Sequence, residues 1–97
     1  MKISASHPAL AGHFPGNPVV PGVVILDEVL QAAGVFLGRP VRTTGLPSVK
    51  FSAPLAPEEE FEIVFDRKDD GRVGFVVRSG AQAFATGVLT YDIHGSR

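Results

Sequence analysis

The run over residues 23–37 constrains this chain more than any other feature. It reads Val-Val-Ile-Leu-Asp-Glu-Val-Leu-Gln-Ala-Ala-Gly-Val-Phe-Leu, apolar almost all round, with Asp27, Glu28 and Gln31 as its polar interruptions. Proline is favoured in a first helical turn and glycine just past a last one. A helix should therefore open at about Pro21 or Gly22 and end near Leu37, where Gly38 and Pro40 follow. The β-branched residues at its start would also suit a strand, but the run is long for one. A helix apolar on every side belongs in an interior. Either a sheet wraps it or a second protomer covers what the sheet leaves bare, and we expect both.

Beyond the helix the hydrophobic period changes to two. Val49, Phe51 and Ala53 alternate with Ser48, Lys50 and Ser52, a strand ended by Pro54. Phe61, Ile63 and Phe65 alternate with Glu62 and, less cleanly, Val64. Asp69-Asp70-Gly71 signals a hairpin that returns from Val73 to Arg78, Ser79-Gly80 turns the chain again, and Leu89, Tyr91 and Ile93 mark one face of a last strand. Lys2 to Ser6 is a short first strand. The expected fold is α+β: an antiparallel sheet of about five strands wrapped around one long central helix, with residues 1–97 as a single domain.

Composition excludes several classes of function. The formal net charge is −1, from nine basic and ten acidic residues, so nothing draws the chain electrostatically to nucleic acid or an anionic membrane. There is no cysteine, which removes disulfides, thiolate chemistry and Cys-ligated metals. The apolar run is too short and too interrupted to cross a bilayer, and residues 1–8 lack a signal-peptide core. A soluble, cytoplasmic protein is expected.

Two ionisable groups stand in costly places. His13 lies in Gly12-His13-Phe14-Pro15-Gly16-Asn17-Pro18-Val19-Val20-Pro21-Gly22, where Pro15, Pro18 and Pro21 each fix φ and stiffen the loop. Asp27 sits among Ile25, Leu26, Val29 and Leu30 and reads as buried. An unpaired buried carboxylate costs several kcal/mol, so packing alone gives little reason to keep one. Taken alone, His13 reads more readily as a loop cap than as a catalyst. Glu28 lies about 100° round the helix from Asp27 and reads as a surface or interface charge. His7 and His13 do not make a metal pair, because no further ligand has matching spacing. Glu58-Glu59-Glu60 reads as a charged turn and His94 as a tail residue.

The segment Gly12-His13-Phe14-Pro15-Gly16-Asn17-Pro18-Val19-Val20-Pro21-Gly22-Val23, followed by Asp27, Gln31, Ala32, Ala33 and Gly34, resembles the FabZ/FabA-type 3-hydroxyacyl-acyl-carrier-protein dehydratases. The later segment Val49-Lys50-Phe51-Ser52-Ala53-Pro54-Leu55-Ala56-Pro57 is similar to another stretch of that family, so the likeness runs nearly the whole chain. It implies a hotdog fold and a dimer as the minimal active unit. It also implies two interface sites, each taking its histidine from one protomer and its carboxylate from the other. The family's histidine matches His13, its acidic residue Asp27, its oxyanion-site glycine Gly22 and its supporting glutamine Gln31. The acidic residue is Asp, as in the isomerising branch, whereas the surrounding sequence is closer to the non-isomerising one. The chain is also shorter than most members. The Ser6-His7-Pro8-Ala9-Leu10-Ala11-Gly12 lead-in resembles compact members from aryl-polyene pigment clusters.

The chemistry accounts for the residue types. Dehydration removes a proton from C2 and expels the C3 hydroxyl, so the enolate oxygen needs donors as it forms. Backbone N–H groups at a helix start supply them, here at Gly22 and Val23, and a glycine lets the substrate approach closely. A neutral imidazole, with a reference pKa of about 6.5, suits the base role of His13. A carboxyl in apolar surroundings tends to hold its proton, which suits Asp27 as acid, and Gln31 at i+4 can orient it. The expectation is a hydro-lyase acting on substrate carried on the phosphopantetheine of acyl carrier protein, with no metal or other cofactor. It would work as a homodimer, a hotdog heterodimer or a larger assembly. Arg39, Arg42, Lys50 and Arg78 are candidates to meet an acidic carrier. A thioesterase on the same fold, or a catalytically silent acyl-binding subunit of a hotdog heterodimer, are the alternatives.

Overall fold

The computed structural model describes residues 1–10, 19–38 and 41–93. A short 3-10 turn, Pro8–Leu10, precedes the helix α1, Gly22–Leu37, and four strands follow: β1, Val41–Phe51; β2, Glu62–Asp69; β3, Arg72–Ser79; and β4, Gln82–Ile93. They form one antiparallel sheet in the order β1-β4-β3-β2.

The helix begins and ends where its punctuation directs. Pro21 holds an extended conformation at the N-cap, and Gly38 closes the C-terminus at φ 73°, its N–H donating to the Gly34 and Val35 carbonyls. That left-handed cap is readily available to glycine. The inner face of α1 carries Val24, Ile25, Val29 and Ala33, all buried. They meet the sheet face bearing Val73, Phe75, Val77, Ala85 and Leu89. Burial of the valine, isoleucine, leucine and phenylalanine side chains among them contributes about 1.5–3 kcal/mol each.

In β3 the core side chains are Val73, Phe75 and Val77, the period-two pattern of a strand with one face covered. The register slips between Val77 and Arg78, which places Phe84 as an extra residue in β4. This bulge lets the neighbours Phe84 and Ala85 both reach the interior. Gly87 sits where β1 and the Phe75 ring close in, and a Cβ there would run into the Ser48 carbonyl and the ring.

Three expectations are corrected. Among the described residues the sheet has four strands rather than about five, because residues 2–6 do not join it. Those residues run beside the β1–β2 connection instead: Phe61 N–H donates to the Met1 carbonyl, Glu58 N–H to the Ile3 carbonyl, and Ala5 N–H to the Glu58 carboxylate. Glu58 itself has φ 67°, which breaks any regular ladder there. The strand placed near residues 48–53 is instead the end of β1, which begins at Val41 and stops at Phe51. Finally, the sheet does not wrap the helix. Val23, Val35 and Phe36 are 73%, 84% and 45% exposed, because one four-stranded sheet covers only one side of α1.

Candidate functional site

The outer face of α1 carries Val23, Asp27, Gln31 and Val35 at successive i+4 positions, all exposed in the single chain. Asp27, expected to be buried, is therefore exposed. The apolar neighbours that suggested burial, Ile25 and Val29, belong to the opposite face of the helix, which the sheet covers. The expected pairing holds: the Gln31 amide Nε2 donates to Asp27 Oδ2 at 2.9 Å. One turn of helix is enough to fix that contact. Beside this stripe, Glu28, Gln31, Val35, Phe36 and Phe65 border a shallow, largely apolar groove of about 560 Å3. Glu28 is half-buried there, and Phe36 stacks on Phe65 with ring centroids 5.1 Å apart.

The start of α1 lies on a second groove, of about 490 Å3, whose walls include Val19, Val20, Gly22, Ile25, Phe51 and Leu55. Val24 and Ile25 N–H both donate to the Pro21 carbonyl, and no side chain caps the helix. Among the described residues the Gly22 and Val23 N–H groups meet no acceptor, and no acidic side chain lies in the first turn. Among the described residues, then, nothing occupies these two first-turn donors at the positive end of the helix, and Gly22 lines the groove. Gly22 is under close approach from within the chain: a Cβ built on it would lie 2.7 Å from Phe51 Cζ.

Gly22 and Asp27 do not face the same way. On an α-helix their positions are separated by about 140° and by about 7.5 Å along the axis. His13 lies outside the described residues, as do Arg39 and His94. Of the other basic candidates, Arg42 is paired with Asp92 and Arg78 with Glu62, each at 2.9 Å. Lys50 is exposed and enters no ion pair among the described residues. No described helix is long and apolar enough to cross a membrane. Phe51, placed by the sequence in a strand and in the family-like segment, is also a wall of this groove. Its apposition to Gly22 joins segments far apart in the chain, so no local pattern announces it.

The arrangement of one helix against an antiparallel sheet is a hotdog-type fold. It superposes on a chain of the structure titled "The Dehydratase Heterocomplex ApeI:P from Xenorhabdus doucetiae" with a TM-score of 0.81 and 22% identity, over 94% of this chain and 81% of that one. Residues 1–88 match the model of the ApeI-like family, described as ApeI dehydratase, and the chain belongs to that family. It is also 31% identical over 91 residues to the 3-hydroxyacyl-[acyl-carrier-protein] dehydratase FabZ of Syntrophobacter fumaroxidans, covering 86% of this chain and 60% of the relative. With the FabZ of Chlamydia trachomatis serovar L2 the identity is 32% over 105 residues, covering 93% and 67%. The chain thus spans between 60% and 67% of the length of these curated relatives.

Proposed function

We propose that the chain is a 3-hydroxyacyl-[acyl-carrier-protein] dehydratase, which eliminates water from a 3-hydroxyacyl thioester to give the trans-2-enoyl thioester. The observation that carries this reading is the Asp27–Gln31 pair, held at 2.9 Å in the middle of an otherwise valine-bordered exposed stripe. A hydrogen-bonded carboxyl in that position has little value to a lone chain and much to a site closed by a second one.

In this reading the thioester carbonyl accepts from the Gly22 and Val23 N–H groups, which take up charge as the enolate forms. The His13 imidazole removes the C2 proton. The electron pair of that C–H bond becomes the C2–C3 double bond, the C3–O bond breaks, and the Asp27 carboxyl gives its proton to the departing hydroxyl, which leaves as water. Gln31 orients the carboxyl. No metal or further cofactor takes part, and phosphopantetheine on an acyl carrier protein brings the thioester. The separation of Gly22 from Asp27 round the helix favours a shared site, with His13 and Gly22 from one protomer and Asp27 from the other. The partner that covers Val23 and Val35 is a second hotdog chain, identical or not. The protein works in the cytoplasm, in fatty-acid or aryl-polyene-type biosynthesis, and Lys50, exposed and in no ion pair among the described residues, is the candidate to meet an acidic carrier.

The test follows enoyl formation and free-thiol release from a 3-hydroxyacyl carrier protein, with the chain alone and with a hotdog partner. Enoyl product that His13→Ala abolishes supports the dehydratase. Thiol release without enoyl identifies a thioesterase, and neither signal from the chain alone, with turnover that requires a partner and survives His13→Ala, identifies a silent subunit.

A further inference from the structure

We propose that Phe51 selects which acyl groups reach the Gly22 amide, its ring forming a movable wall of the groove at the start of α1. The proposal rests on the dehydratase reading and names the specificity element of that same site.

The ring is placed by fixed backbone on both sides. Phe51 is the last residue of β1 and lies opposite Ala85 of β4, and the next N–H, that of Ser52, donates to the Phe84 carbonyl at 2.8 Å. The main chain therefore cannot withdraw. The side chain projects its far edge at Gly22: a Cβ there would lie 2.7 Å from Cζ and 3.2 Å from both Cε atoms. The ring thus fills the space next to the first-turn amides, and the absence of a side chain at Gly22 lets it do so.

Three other large walls are held in the core. Val20, Ile25 and Leu55 are 3%, 3% and 1% exposed, so none can turn without opening the core. Phe51, by contrast, is 49% exposed in the single chain. Exposed side chains change rotamer in picoseconds to nanoseconds, far faster than turnover. A slim linear acyl thioester passes with little ring movement, whereas an aryl or branched acyl group needs the ring displaced. The side chain at 51 therefore sets the ratio of activities toward the two substrate shapes.

The test uses the full chain, with its hotdog partner if one is needed for turnover, and compares kcat/KM for a short linear and an aryl-substituted 3-hydroxyacyl carrier protein. Phe51→Ala should raise the aryl-to-linear ratio about tenfold, and Phe51→Trp should lower it, the scale expected for modest changes in pocket volume. A second reading needs no turnover. Amide shifts of Gly22 and Val23 are titrated with two non-hydrolysable acyl-pantetheine amides, one linear and one aryl, and the relative affinities should change in the same directions. If wild type forms no enoyl product but the binding preference still follows residue 51, the dehydratase reading fails and the selector role stands. If both variants fold and neither ratio moves, the selector role is overturned.

Discussion

Gln31 Nε2 donates to Asp27 Oδ2 at 2.9 Å across one turn of α1, on a face that the chain's own sheet leaves open. The contact turns one carboxyl oxygen toward the next turn of the helix, and among the described residues the other meets no donor, so it can reach a group outside this chain.

Removing the carboxyl should affect chemistry and not folding. Asp27→Asn is expected to change chain stability by less than about 0.5 kcal/mol, as exposed substitutions generally do, while lowering turnover about 10²–10⁴-fold. Gln31→Ala should cost helix stability about 0.2–0.5 kcal/mol and lower turnover less than Asp27→Asn does. Urea unfolding beside enoyl-product kinetics separates the two effects. Near-native turnover in folded Asp27→Asn would remove Asp27 from the acid role.

The exposed valines predict an interface. Val35→Glu puts a charge at the most exposed apolar position of α1, where Val35 is 84% open in the single chain. The variant should sediment as a monomer under conditions where wild type associates, and should lose activity while staying folded, its unfolding midpoint falling only by what association adds. Association that survives the substitution would place the partner elsewhere.

Gly87 should resist replacement. An alanine Cβ would collide with the Ser48 carbonyl of β1 and with Phe75 Cζ, and the backbone has no easy way to yield in the middle of a paired strand. Gly87→Ala is expected to cost about 1–3 kcal/mol, read as a lower urea midpoint at constant m. A loss under about 0.5 kcal/mol would mean that β1 and β4 can part locally.

Acid should loosen the segment that precedes the 3-10 turn. The Glu58 carboxylate accepts from Ala5 N–H at 2.8 Å and pairs with Lys2 Nζ at 3.3 Å. These contacts, the Ala5 bond foremost and Lys2 next, hold its pKa below the ordinary 4.5. A depressed folded-state pKa stabilises fully above the unfolded value and is lost as pH falls through the folded one. The melting temperature of wild type should therefore exceed that of Glu58→Gln at neutral pH, with the gap closing in acid below that range. A gap that persists at the lowest pH would show that the carboxylate's charge is not what holds the segment.

Much of this molecule can be read from local pattern. The bounds of α1 follow from Pro21, Gly22 and Gly38, the Asp70-Gly71 and Gly80 turns follow from glycines that adopt positive φ, and the Asp27–Gln31 pair follows from i+4 spacing. Each depends on residues within a turn or two, where backbone sterics and helix geometry act alone. The family likeness was legible for the same reason, because its motif is contiguous. His13, the centre of that motif, lies outside the described residues, so its role rests on the likeness and on the test above.

What the chain order does not contain is which face meets what. Periodicity marked α1 as apolar all round, yet only the tertiary structure showed that the sheet takes Val24, Ile25, Val29 and Ala33 and leaves Val23, Asp27 and Val35 bare. It likewise drew residues 1–3 to the β1–β2 connection instead of the sheet, and brought Phe51 onto Gly22. Hydrophobicity has no direction, so a sequence can state how much surface must be hidden without stating against which partner. Packing decides that, and here a single chain leaves part of it undone.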